Sequence, residues 1–222
     1  MPLYAVERIT IEAASAIACF ILVRFMIKPF RLTRETRYLG LPLGFGFLGV
    51  SYAFSALSYS TIFSFSNWGW MQLLVRGVAF LFLLITYYFS KSEKKPKILW
   101  NATLGMIIAI LTILILLAAI SPQIPRPDYI LYYIIIRGFG LISFCYISIH
   151  ALKSQAERSD QTILLIPVAY ILLAINQYSS IIWIIDASYI ALFGGLAFRL
   201  ASLAIFIFVS YKAFFSSEWE NK

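Results

Sequence analysis

Seven apolar stretches take up almost the whole sequence, and each is long enough to cross a bilayer: 9–29, 38–61, 69–90, 99–120, 129–152, 162–185 and 189–213. A hydrocarbon core needs about 20 apolar residues per helix. Inside it every backbone amide must be satisfied within the segment, so runs of this kind take helical form. The predicted fold class is an all-α integral membrane protein, a seven-transmembrane-helix bundle forming a single domain over 1–222. Charge runs interrupt the apolar pattern at 28–37, 91–97 and 153–160, and a proline-rich stretch interrupts it at 121–127. Proline lacks a backbone donor and favours extended chain around it. The breaks at 64–68 and 186–188 carry weaker signals.

Composition closes the other options. Of 222 residues, 61% are apolar and 13% charged, whereas a soluble domain carries about 45–50% apolar and about 25% charged residues. A soluble globular protein, a disordered chain and a disulfide-rich secreted domain are excluded. The spans leave no room for an appended soluble catalytic or signalling domain. The first apolar stretch does not read as a cleavable signal peptide, because its basic residues follow the apolar run.

Lys and Arg in short loops set the direction of threading. Arg24, Lys28, Arg31, Arg34 and Arg37 flank the first connection, Lys91, Lys94, Lys95 and Lys97 fill the third, and Lys153 and Arg158 lie in the fifth. Lys212 and Lys222 sit at the C-terminal end. The opposite side has Arg8 and Arg126 against Glu7, Glu12, Asp128 and Asp186. The expectation is a cell-membrane protein with the N-terminus outside and the C-terminus cytoplasmic. The net charge of +8 is mostly this topology signal plus contact with anionic lipid, and nucleic acid is not an expected partner. Trp68, Trp70, Tyr129, Tyr132, Trp183 and Tyr189 suit an outer aromatic belt, and Tyr38, Tyr87, Tyr88, Trp100 and Tyr211 an inner one.

A shift of 125 residues brings 39–51 onto 164–176 without gaps. Pro42 meets Pro167, Gly44 meets Ala169, Gly49 meets Ala174 and Ser51 meets Asn176. With a two-residue loop difference, Arg76 meets Arg199. The pattern suggests two parallel halves, 9–90 and 129–213, joined by a linker helix at 99–120, which is one transporter plan. At the level of topology the chain resembles the sugar-efflux (SWEET) and PQ-loop transporters, which run three-one-three with the N-terminus outside and carry prolines in helices 2 and 6. That resemblance implies a transport fold. It departs from those families in its one Pro-Gln pair, Pro122-Gln123, which lies in a loop.

Three arginines, Arg76, Arg137 and Arg199, fall well inside the spans. At 1.5 Å per residue, Arg76 and Arg137 lie roughly 13 Å below the outer helix ends and Arg199 roughly 20 Å. An arginine at mid-membrane costs about 2.5–3.5 kcal/mol on insertion scales, so such residues face the bundle interior. Glu12 is the nearest candidate counter-charge, with Asp128 and Asp186 at the rim. Under the 125-residue shift Glu12 falls on Arg137, which points to a Glu12–Arg137 pair across the pseudo-symmetry axis. Surplus positive charge calls for Asn176, Gln177 and Ser51, for helix carbonyls, or for an anionic ligand; internal pairing or snorkelling is the structural alternative. Asn176 and Gln177 also suit interhelical glue. Gly40, Gly44, Gly49 and Ala53 form a close-packing face, and Pro42 and Pro167 are read as a fixed kink or a gating hinge.

Enzyme chemistry is poorly served. His150 is the one histidine and Cys19 and Cys145 the two cysteines, so a two-histidine haem and a His/Cys metal site lack ligands within the chain. Ser143 and His150 share a helix face roughly 10 Å apart, too far for a nucleophile and its base. Arg199 occupies the region where a retinal protein needs a lysine. The expected function is therefore non-enzymatic, without a cofactor or metal. It is binding or translocation of a small polar or anionic solute, at Arg76, Arg137, Arg199, Asn176, Gln177 and Glu12. The alternatives are a seven-helix sensor or receptor acting through a separate cytoplasmic partner, and a structural subunit of a membrane complex. The lipid bilayer is the one partner common to all three.

Overall fold

The computed structural model describes residues 5–59, 68–90, 97–120, 129–156 and 164–219. All of its regular structure is helical. The order is α1 (Ala5–Met26), α2 (Lys28–Thr33), a 3-10 turn (Thr36–Leu39), α3 (Gly40–Tyr59), α4 (Trp68–Ser90), α5 (Lys97–Ile120), α6 (Tyr129–Ala156), α7 (Leu165–Asp186) and α8 (Tyr189–Trp219). The proline-rich break at 121–127, Asp128, Arg158 and most of the weak break at 64–68 and of the basic run at 91–97 lie outside the described residues.

Six helices are long and apolar enough to cross a membrane, the first counted through α2. The protein is accordingly a membrane-embedded helical bundle. Helix α5 differs: among the described residues its apolar stretch is Leu99–Ile113. The weak break at 186–188 is real. Ala187 adopts the left-handed conformation (φ 51°) and its N–H caps α7 on the Trp183 carbonyl, so α7 and α8 are joined by two residues. The charge run at 28–37 is more structured than its composition suggests. It folds as α2, closed by Arg34 at φ 57°, and then as the 3-10 turn.

Pro42 and Pro167 each stand third in their helix. A first-turn N–H has no intrahelical acceptor, so proline interrupts nothing there. Neither bends its helix in mid-span, and a hinge at these points would swing the whole helix about its entry. Within the spans, hydroxyls fold back on the preceding turn, as in Ser15 to the Ile11 carbonyl (2.7 Å) and Ser148 to the Phe144 carbonyl (2.8 Å). They are thereby satisfied without water.

Six helices close a ring. α1 packs on α3, α3 on α4, α4 on α6, α6 on α7, α7 on α8, and α8 returns to α1. The contacts inside α1–α3–α4 and α6–α7–α8 are extensive, while the joints α4–α6 and α8–α1 are narrower. Laying the first triplet on the second carries one joint onto the other. Helix α5 stands outside, against α4 and the 3-10 turn. Small residues set the closest approaches. A methyl on Gly44 would meet Leu83 of α4 at 2.6 Å, and one on Gly49 would meet Cys19 of α1 at 3.0 Å. The glycine face of α3 thus serves two neighbours. Trp100 is not an interfacial belt residue. It is buried, and its indole N–H donates to the Thr36 carbonyl at 3.0 Å, which pins α5 to the 3-10 turn.

One face of the bundle, here the near face, is where α1, α4, α6 and α8 begin and α3 and α7 end. Arg8 lies over Tyr59 there, Trp70 packs on Tyr129 and Tyr132, and Trp183 on Tyr189. Towards the far face the ring is filled. An unbroken aromatic chain runs Phe45–Phe206–Tyr170–Phe144–Phe80, with centroids 4.8 to 6.0 Å apart. Cys19 and Leu22 of α1 join the same buried cluster.

Candidate anion site among three arginines

Helix geometry brings the polar residues to one level. Arg76 and Arg137 each lie eight residues into α4 and α6, and Arg199 lies ten into α8. At 1.5 Å per residue these are depths of about 12 and about 15 Å from the near face. Counted from Tyr189, where the expected span also begins, Arg199 is therefore shallower than the roughly 20 Å expected. Glu12, Ser51, Asn176 and Gln177 fall at the same level on α1, α3 and α7. All three arginines are buried, with Arg76 at 0%, Arg199 at 1% and Arg137 at 4% exposure.

Each arginine has a different set of partners. Arg76 is fully tied: its Nε donates to Ser51 Oγ at 2.9 Å, and the Ser51 hydroxyl donates in turn to the Gln72 main-chain carbonyl at 3.1 Å. With its amide oxygen turned towards α4's own next turn, Gln72 accepts from both terminal nitrogens of Arg76 at 3.1 Å. Arg199 gives Nη1 to Glu12 Oε2 at 3.1 Å, a buried ion pair. Arg137 gives Nη1 to Gln177 Oε1 at 2.8 Å. Tyr52 lies beneath two of them, with its ring 5.2 Å from the Arg76 guanidinium carbon and 4.3 Å from that of Arg199. Tyr133 stands in the same relation to Arg137 at 4.9 Å.

The expected Glu12–Arg137 pair does not form. Residues related by a two-fold axis meet only if they lie close to it, and the ring sets α1 beside α8 and α6 beside α4 and α7. Glu12 therefore takes Arg199. It remains within electrostatic reach of all the others, Arg76, Arg8 and Arg137, so the three intramembrane cations surround one carboxylate.

The sum is unbalanced in charge and in hydrogen bonding. Among the described residues the buried ionised groups are Glu12 and the three arginines. Three positive charges against one negative leave two. Arg199 Nε, Arg199 Nη2, Arg137 Nε and Asn176 Nδ2 are buried with no hydrogen-bond partner among the described residues. Every one of these atoms is a donor. A buried unmet donor costs about 1–3 kcal/mol, and more when charged. Asn176 faces α8, its Oδ1 lying 3.5 Å from where a methyl on Gly195 would stand, one helical turn before Arg199.

The structure thus brings together all six polar residues singled out from the sequence, with Pro42 and Pro167 near the far face, away from them. Three participants went unremarked: Gln72, Tyr52 and Tyr133. Two carried a signal, since Gln72 precedes Arg76 by four residues and Tyr133 precedes Arg137 by four, the spacing that stacks side chains on one helix face. No protein family, curated protein or solved structure matches the chain.

Proposed function

We propose that this protein binds or translocates a small anionic solute at the arginine cluster, as a seven-span cell-membrane protein with the N-terminus outside. The observation that supports it most is the one-sidedness of the unmet groups: four buried polar atoms, all donors, beside two surplus positive charges. A guanidinium carries five donors and no acceptor, so arginines that brace helices need acceptors from their neighbours to be satisfied. This arrangement lacks acceptors alone. A membrane-complex subunit whose partner supplies carboxylates fits less well, because a neighbouring helix cannot reach atoms enclosed by the ring. A small solute reaches them if the ring opens, and the narrow joints α4–α6 and α8–α1 are where it separates at least loss of contact.

Direction rests on charge. Arg24, Lys28, Arg31, Arg34 and Lys153 gather towards the far face, while Glu7 and Asp186 lie towards the near face. By the positive-inside rule the far face is cytoplasmic. Helix α5, with 24 residues or about 36 Å of rise, makes the crossing that links two parallel triplets. The aromatic chain then closes the cytoplasmic side while the arginines lie on the outer one.

The test is thermal unfolding of the purified protein in detergent with small anions and with neutral sugars, followed by flux into vesicles. A ligand that binds only the folded state raises the midpoint by mass action, about 2.7 kcal/mol at a hundredfold excess over Kd. The expected result is stabilisation by anions alone, lost in Arg137→Gln. The reading is overturned if no anion moves the midpoint while Arg137→Gln is strongly destabilised, which would make the arginines purely structural.

A further inference from the structure

Resting on that reading, the geometry points to the class of anion: we infer that the free edge of Arg199 is a carboxylate fork and that the solute is a small organic carboxylate. A guanidinium presents two pairs of parallel N–H bonds. One pair lies across Nη1 and Nη2, the other along the Nε–Nη2 side. Glu12 takes a single bond from Nη1. The two atoms left without a partner are Nε and Nη2, the pair that forms the side-on fork. Two parallel N–H bonds at that spacing match the two oxygens of one carboxylate.

The surroundings select against other anions. The Tyr52 ring covers the Arg199 guanidinium at 4.3 Å, so a ligand on this edge lies in the guanidinium plane, where a carboxylate's oxygens are coplanar with the fork. A halide offers one centre to two parallel N–H bonds, so neither points straight at it. Sulfate and phosphate seat two oxygens and turn the others towards a site with few donors left, Asn176 Nδ2 and Arg137 Nε. Arg76 contributes charge only, because Ser51 and Gln72 already hold its nitrogens.

The experiment titrates acetate, pyruvate, sulfate, phosphate and chloride against the purified full chain, with the thermal midpoint as readout. It uses wild type and Arg199→Lys, which keeps the charge and removes the planar fork. The expected result is that a carboxylate binds wild type at least tenfold more tightly than sulfate, phosphate or chloride. It binds Arg199→Lys at least tenfold more weakly, with chloride unchanged. If sulfate, phosphate or chloride binds wild type as tightly as the carboxylates, or Arg199→Lys keeps full carboxylate affinity, the fork is refuted while the anion site stands. If no anion binds wild type, both fall. Should Arg199→Lys not fold, Asn176→Asp serves instead, since a fixed negative charge beside the fork must weaken carboxylate binding at least tenfold. Unchanged affinity in that variant also refutes the inference.

Discussion

The two ends of the ring solve the membrane problem in opposite ways. Towards the near face, buried charges meet across helices: Glu12 with Arg199, Arg137 with Gln177, Arg76 with Ser51. Towards the far face the same six helices meet through packed rings and small residues, and the few polar groups that pair across helices are neutral. Tyr87 and Tyr170 hydrogen-bond each other, and Ser202 donates to the Ala169 carbonyl at 2.8 Å. A packed apolar end has one good arrangement and resists change. A polar end with unmet donors is held together by long-range attraction and gains from an added acceptor. Rigidity and chemistry are thus divided along the bundle axis.

Three substitutions probe that division, in falling order of effect. Glu12→Ala removes the one buried carboxylate among the described residues and leaves three cations facing each other; loss of one partner of a buried pair costs about 3–5 kcal/mol. Denaturant unfolding in mild detergent reads it, and a loss below about 1 kcal/mol, the range of exposed pairs, would mean charge does not hold the near end. Phe206→Ala opens a cavity between Phe45 and Tyr170. It is expected to destabilise by about 3 kcal/mol while leaving anion affinity within twofold. A large affinity change would show that the two ends are coupled rather than separate. Ser202→Ala removes one interhelical bond whose acceptor is a helix carbonyl, at a cost of about 0.6 kcal/mol. A loss several times larger in the same unfolding assay would give the far end a polar dependence that the packing does not suggest.

What could be read from the sequence follows from what each feature depends on. The apolar spans depend on composition along a short window, so six of the seven expected, with their approximate ends, were visible, down to the break at 186–188. That Arg76, Arg137 and Arg199 face inwards follows from the cost of a charge in lipid, which acts on each residue singly. Who pairs with whom depends on which helices are neighbours, and local sequence does not hold that. Glu12 was assigned to Arg137 by symmetry and in fact meets Arg199 by adjacency. Trp100 shows the same limit: its type and position fit a lipid interface, but the 3-10 turn supplies a carbonyl that draws it inwards. Helix α2 was hidden because a basic run reads as a linker until its cap at Arg34 is seen.

The pair that closes the ring joins residues 187 positions apart, on the first and the last of its six helices. Chains are organised from the N-terminus as they are made. Until α8 enters the bilayer, the ring is an arc with an open side, and Glu12 stands at its edge without its ion-pair partner. The arrival of Arg199 removes that exposed charge and shuts the gap in one event. The Glu12–Arg199 contact is in that sense a completion mark, made only once α8 stands beside α1.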